Sequence, residues 1–203
     1  MIRQILLCSA LANQAISASA SELSPKSAAI DPQQLEQALE FNQTISKALA
    51  GKLKKRLMAA VKSGGLEAGI AQCKIAAPEI SQQLQEEHPQ VLISAGRTSL
   101  KTRNENNQAT GWQAEQLQAF DRIKSKGREA GVRYRVLESK GKLAIESMSP
   151  IPTQGLCLNC HSSQLTPGLS AKLNELYPND NATGYSLGDI RGAFVIRSWL
   201  QEQ

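Results

Sequence analysis

Residues 132–148 read VRYRVLESKGKLAIESM. Val132 to Glu138 and Lys142 to Met148 are strand-like runs on either side of Ser139-Lys140-Gly141, a short turn containing glycine. That is the pattern of a β-hairpin. It places antiparallel strands at the centre of the chain. The segments around it decide what kind of sheet protein this is.

Upstream the period changes to helical. From Asp31 to about Ser63 the residues Leu35, Leu39, Leu49, Leu53, Leu57 and Val61 recur at multiples of four, with Ile45 and Ala60 beside the stripe. Asp31-Pro32 supplies an N-cap followed by proline at the first helical position. Gly64-Gly65 stops the run. A second helix is predicted from Leu66 to Glu87, ending before Pro89, with Ile70, Cys73, Ala77, Ile80 and Leu84 on its apolar side. Val91 to Ala95 reads as a short strand, and Arg97 to Gly111 as a long polar connection. Trp112 to Arg128 is helical again, with Leu117 and Phe120 or Ile123 inward. Downstream of the hairpin come a short helix around Leu169 to Leu176, a loop rich in Pro, Asn, Asp and Gly, and a last strand from Gly192 to Trp199. Helices that precede and flank a few antiparallel strands make the class α+β.

The 203 residues are 41% hydrophobic and 20% charged. That is the balance of a globular chain, long enough to bury a core without several disulfides. Aromatics are only 4%, so Leu, Ile, Val and Ala must build that core. A net charge of +5 falls short of a nucleic-acid footprint. Lys52, Lys54, Lys55 and Arg56, and again Lys124, Lys126 and Arg128, read as solvated helix faces, with no aromatics nearby for base stacking. The alternative is a docking patch for an acidic redox partner.

Arg3, the apolar run Ile5 to Ala12 and the small-x-small Ala18-Ser19-Ala20 resemble a secretory leader. The run is far short of the ~20 apolar residues a bilayer requires. No later segment is apolar enough to cross either, so the expected mature protein is periplasmic, with no membrane span. The expected organisation is a signal peptide at 1–20, a linker and helix start at 21–34, and one domain at 35–203. Loss of the leader removes Cys8 and leaves Cys73, Cys157 and Cys160, an odd count for an oxidising compartment.

Cys157-Leu158-Asn159-Cys160-His161 is the attachment signature of c-type haem. Residues three apart lie on one face of a helical turn, so both sulfurs reach one edge of a porphyrin. The adjacent imidazole then ligates the iron. A zinc knuckle would need four ligands, and only Cys73 and His88 remain to supply them. A redox dithiol would not need the histidine. One covalently bound haem c is therefore expected. For its sixth position the residues offer His88, Met58, Met148 and Cys73. His88 reads as a solvated helix end, Met148 as packing, and Cys73 as a small buried hydrophobe. The compartment speaks against that last reading, because a lone thiol invites wrong disulfides.

Further runs complete a pattern: Ile70-Ala71-Gln72-Cys73, then Gly96-Arg97-Thr98-Ser99-Leu100-Lys101-Thr102-Arg103-Asn104, then the haem motif. Tyr177-Pro178-x-Asp180-x-Ala182-x-Gly184-Tyr185 and Gly188-Asp189-Ile190-Arg191-Gly192-Ala193-Phe194 follow. The set resembles the periplasmic monohaem c proteins with a PAS-like fold, a haem-c sensor family formerly of unknown function, over roughly Leu35 to Trp199. Glu105 and Ser162 depart from the family's Pro and Gly, and neither position touches ligation. The resemblance implies a PAS-like antiparallel sheet with a long N-terminal helix and flanking helices. It also implies iron held by His161 on one side and Cys73 on the other.

Arg97, Lys101 and Arg103 are then candidates to pair with haem propionates or the Cys73 thiolate, since a guanidinium fork matches a carboxylate. Tyr185 and Arg191 are similar candidates. Nothing points to an enzyme: there is no phosphate loop, no HExxH, and two histidines are too few for a Ser/His/Asp site. A sensor of redox state or of a diatomic gas is the first expectation, and an electron-transfer cytochrome the second. With no output domain before Gln203, a signal would pass to a separate redox or signalling partner.

Overall fold

A computed structural model describes residues 30–139 and 141–201. The expected leader and the first part of the linker lie outside the described residues. Asp31 caps the first helix as its sequence predicts: its side chain accepts the Gln33 N–H at 3.1 Å, and Pro32 follows. This helical segment, α1 (Pro32–Glu87), is two helices, 32–63 and 66–87, joined across non-helical Gly64 and Gly65. Gly65 has φ 73°, a left-handed conformation that glycine adopts without a steric penalty. The chain therefore doubles back into a helical hairpin. Lys52 meets Glu87 and Arg56 meets Glu79, each at 2.8 Å, and a Cβ on Gly69 would collide with Val61 of the other arm.

Four strands follow in the sheet order β1-β4-β3-β2, all antiparallel: β1 (Leu92–Thr98), β2 (Arg133–Ser139), β3 (Lys142–Pro152) and β4 (Ile190–Trp199). The predicted hairpin is there, in register from Arg133↔Met148 to Ser139↔Lys142. One face of the sheet packs on α1 through Leu92, Ala95 and Ile196 against Ile45, Leu49, Ala76, Ile80 and Leu84. The other packs on α2 (Gly111–Lys124) through Met148, Ala193 and Val195 against Leu117 and Phe120. The fold is α+β and PAS-like, as expected. Among the described residues no helix is long and apolar enough to cross a membrane.

Several details differ from the sequence reading. The buried stripe of the first arm is Ala38, Asn42, Ile45, Ser46 and Leu49, not the leucine series alone. Asn42 belongs there because its amide donates to the Ile145 and Ile196 carbonyls of β3 and β4, both at 3.4 Å. β1 continues to Thr98, so Arg97 stands on a strand opposite Phe194 and not in the polar connection. Pairing with β4 outweighs the local polarity of Gly96-Arg97-Thr98. Arg191 likewise lies on β4 and not in a turn before it.

Two features lock the strands in place. Glu146 is fully buried in β3, directly between Arg135 of β2 and Arg197 of β4, and both guanidiniums pair with it. At Gly192 a Cβ would run into the Thr98 carbonyl oxygen, so β4 approaches β1 closely only because that position has no side chain. Gly192→Ala should cost ~2 kcal/mol as overpacking. In a domain of this size that lowers the melting temperature by roughly 4–8 °C. A thermal melt matching that of the wild type would show that the strands part without cost.

Candidate haem site

The short helix α3 (Gly155–His161) carries the motif. Its first turn is closed locally: the Gln154 N–H points at the Cys157 sulfur, 3.4 Å away. Cys160, one turn further on, sits beside the cluster of Ile70, Leu169, Leu173 and Tyr177. That cluster joins α4 (Pro167–Leu176) to the second arm of α1, the arm that bears Cys73. The motif helix is thus moored to the segment holding the expected second ligand.

His161 is held by two contacts that agree about its proton. Nδ1 lies 2.6 Å from the Ala182 carbonyl oxygen, which can only accept, so the proton is on Nδ1. Nε2 faces Arg191 Nη1 at 3.2 Å, a donor, and so presents its lone pair. Burial lowers the imidazole pKa to about 3, with Arg191 and then Arg103 pushing in the same direction. The ring is neutral, with Nε2 in the form that binds a metal. Tyr185 supports it from the side, ring centroids 6.3 Å apart and nearly perpendicular, and its N–H donates to the His161 carbonyl at 3.0 Å.

Cys73 is half-buried on α1. It lies near Cys160, Tyr177 and Arg97. The Cys160 thiol is pushed up by burial, with Arg103 opposing and Cys73 adding. Tyr177 is pushed up to about 12, first by burial and then by Cys73, so its hydroxyl stays protonated. Arg97 is pushed down by burial and by Arg191, while Cys73 acts the other way. Arg97 thus feels both Cys73 and Arg191, and Arg191 in turn contacts His161.

The other candidates divide according to whether they already have partners. Arg103 is committed: Nε pairs with Asp180 at 3.0 Å and Nη2 donates to the Cys160 carbonyl at 2.7 Å. Lys101 donates to the Thr183 carbonyl at 2.7 Å and lies 4.7 Å from the centroid of the Tyr185 ring. The guanidinium of half-buried Arg97 has neither a hydrogen bond nor an ion pair among the described residues. Arg191 Nε is buried without a partner. Two guanidiniums that repel each other and lack carboxylates form an anion-binding arrangement.

The alternative sixth ligands lie elsewhere. Met148 is fully buried between the sheet and α2, and Met58 is exposed. His88 ends α1 with its ring on Phe41, and fifteen residues of helix after Cys73 is about 22 Å at 1.5 Å per residue.

Residues 11–198 match the Tll0287-like family, whose description names Tll0287. The chain belongs to the Tll0287-like family. Every residue of the site, from Cys73 to Arg191, falls inside the matched span. Among solved structures, the crystal structure of the cyanobacterial heme-protein Tll0287 is similar, with a TM-score of 0.54 and 18% identity. The alignment covers 85% of this chain and 98% of that one. At that identity the likeness establishes the fold. No curated protein matches the chain.

Two parts of the candidate site escaped the sequence reading. Asp180 and Ala182 were visible as part of a recurring run, but their roles were not. The Asp-x-Ala spacing is itself a signal, because an Asp side chain often accepts from the backbone two residues on. The placement of Arg97 and Arg191 on neighbouring strands gave no local signal, since it comes from strand pairing.

The donor set fits a haem. It offers two thiols one helical turn apart, a neutral imidazole whose Nε2 lone pair meets only the Arg191 guanidinium, a thiol on the facing helix, and two guanidiniums that lack carboxylate partners.

Proposed function

We propose that this chain is an exported, non-enzymatic haem c protein that senses redox state or a small gas through a haem ligated by His161 and Cys73. The observation that carries the reading is the set of Cys157, Cys160 and His161 beside Arg97 and Arg191, two guanidiniums without carboxylate partners, with Cys73 on the neighbouring helix. Membership of the Tll0287-like family and the fold of a solved heme-protein support it.

Bound haem would supply a one-electron ferric/ferrous couple and, where a ligand position opens, a site for a diatomic gas. The chain's residues then have distinct tasks. Cys157 and Cys160 provide two thioether links. His161, with Nδ1–H fixed on Ala182, offers Nε2 to the iron. Arg97 and Arg191 receive the propionates, and Tyr185 closes the side of the imidazole. Cys73 would supply a thiolate to the iron, whose charge would favour the ferric state and would be held less well once the iron is reduced. A change of ligand on reduction gives two discrete states, as a sensor needs. A partner protein reads the change. An electron carrier works better with coordination that does not change.

The test uses protein isolated from the cell envelope. Its intact mass should equal the chain from about Ser21 onward plus one haem. Its ferric optical and electron paramagnetic resonance spectra should be six-coordinate and low-spin, and its ferrous form should bind carbon monoxide. A full chain from Met1, or haem that extracts freely, would sink the reading. Coordination unchanged on reduction would favour the electron carrier.

A further inference from the structure

Arg103 and Asp180 form a well-buried ion pair, their side chains 13% and 6% exposed, about the motif helix. Their hydrogen bonds make a closed circuit. The Asp180 carboxylate accepts Arg103 Nε through Oδ2 at 3.0 Å and the Ala182 N–H through Oδ1 at 2.8 Å. Ala182 in turn offers its carbonyl to His161 Nδ1–H at 2.6 Å. Arg103 Nη2 reaches the Cys160 carbonyl at 2.7 Å, on the residue bonded to His161. The backbone adds two ties, from Asn181 N–H to the Thr102 carbonyl at 2.8 Å and from Tyr185 N–H to the His161 carbonyl at 3.0 Å.

An Asx turn and a buried ion pair are common ways of pinning a loop, and one reading is that Asp180 does only that. The circuit does more, because it ends on the ring nitrogen opposite Nε2. A carbonyl held rigidly against Nδ1–H increases the imidazole's donor strength toward a metal at Nε2. We infer that Asp180 and Arg103 are positioning residues that fix the ring of His161 and, through their paired charges, set the reduction potential of the haem. The inference rests on the haem reading above and names two residues that reading leaves without a role toward the iron.

The signs follow from the geometry. Asp180→Asn leaves an acceptor for the Ala182 N–H but strands the Arg103 cation beside the site, which disfavours ferric iron. Arg103→Gln strands the Asp180 carboxylate, which favours it. Both charges are buried, so salt screens them little. Second-sphere partners of ligating histidines typically act at the level of ~10-fold or more. A tenfold change in the ferric-to-ferrous ratio is about 59 mV for one electron.

The test measures midpoint potential and thermal midpoint on the haem-loaded full chain. Asp180→Asn should raise the potential, Arg103→Gln should lower it, and Arg103→Lys, which keeps the charge, should stay near the wild type. Both charge-removing variants should also melt earlier. If Asp180→Asn does not accumulate, the contrast between Arg103→Gln and Arg103→Lys carries the test. Earlier melting with unshifted potentials, or shifts of one sign for both variants, would leave the pair a loop clamp and overturn the inference. A wild type without attached haem would overturn the functional reading as well, so the two failures are distinguishable.

Discussion

Cys157→Ala combined with Cys160→Ala should abolish covalent haem completely. In wild-type protein, acid-acetone extraction should leave the colour with the polypeptide. In the double variant it should remove all of it, and the intact mass should fall by one haem beyond the two lost sulfurs. The substitution is a fair probe because it is mild for the fold. Alanine is the best helix former, and both sites lie on a helix. Neither cysteine is fully buried, and Cys160 only borders its apolar cluster. The expected structural cost is ~1 kcal/mol, typical of a small truncation outside a core. His161 keeps its bond to Ala182, so non-covalent binding can persist, and the assay must separate attachment from affinity. Haem that extracts freely from the wild type would end the claim that the motif attaches it.

The elements that could be read ahead were those decided by local rules. Asp31-Pro32 and Gly64-Gly65 set the ends of the first helix, and the turn around Gly141 set the hairpin, because capping and turn chemistry act within a few residues. The one-turn spacing of Cys157 and Cys160 could be read for the same reason, and the two residues do lie on a short helix. What could not be read was set by partners far away in the chain. Arg97 became a strand residue because β4, about a hundred positions later, pairs with it at Phe194. Asn42 is buried because β3 and β4 offer it carbonyls, and composition alone would have put it outside. The division of the cations was equally hidden: Arg103 has a carboxylate waiting at Asp180, while Arg97 and Arg191 have none. In the sequence all three are simply basic residues in polar runs.

Cys73→Ala should turn a six-coordinate low-spin ferric spectrum into a high-spin or water-bound one. Four observations point at this sulfur. The cysteine count is odd if the leader expected from the sequence is removed. Cys73 shares its region with Cys160, Tyr177 and Arg97. Met148 is in the core and Met58 is exposed. His88 lies at the far end of the helix. Alanine keeps the helix, so the change should be spectroscopic and not a loss of fold. The midpoint potential should rise by about 59 mV or more, at least tenfold in the ferric-to-ferrous ratio, because the thiolate's charge no longer favours ferric iron. Because Cys73 is expected to be released on reduction, carbon monoxide should bind the ferrous wild type about as fast as the ferrous variant. Met148→Ala is the contrasting variant. It removes a fully buried side chain from between the sheet and α2, so it should cost ~2–5 kcal/mol of stability and leave the ferric spectrum alone. If the roles were reversed, with Cys73→Ala silent and Met148→Ala changing the spectrum, the site would be a His/Met cytochrome. Its constant coordination would then make electron transfer the better reading.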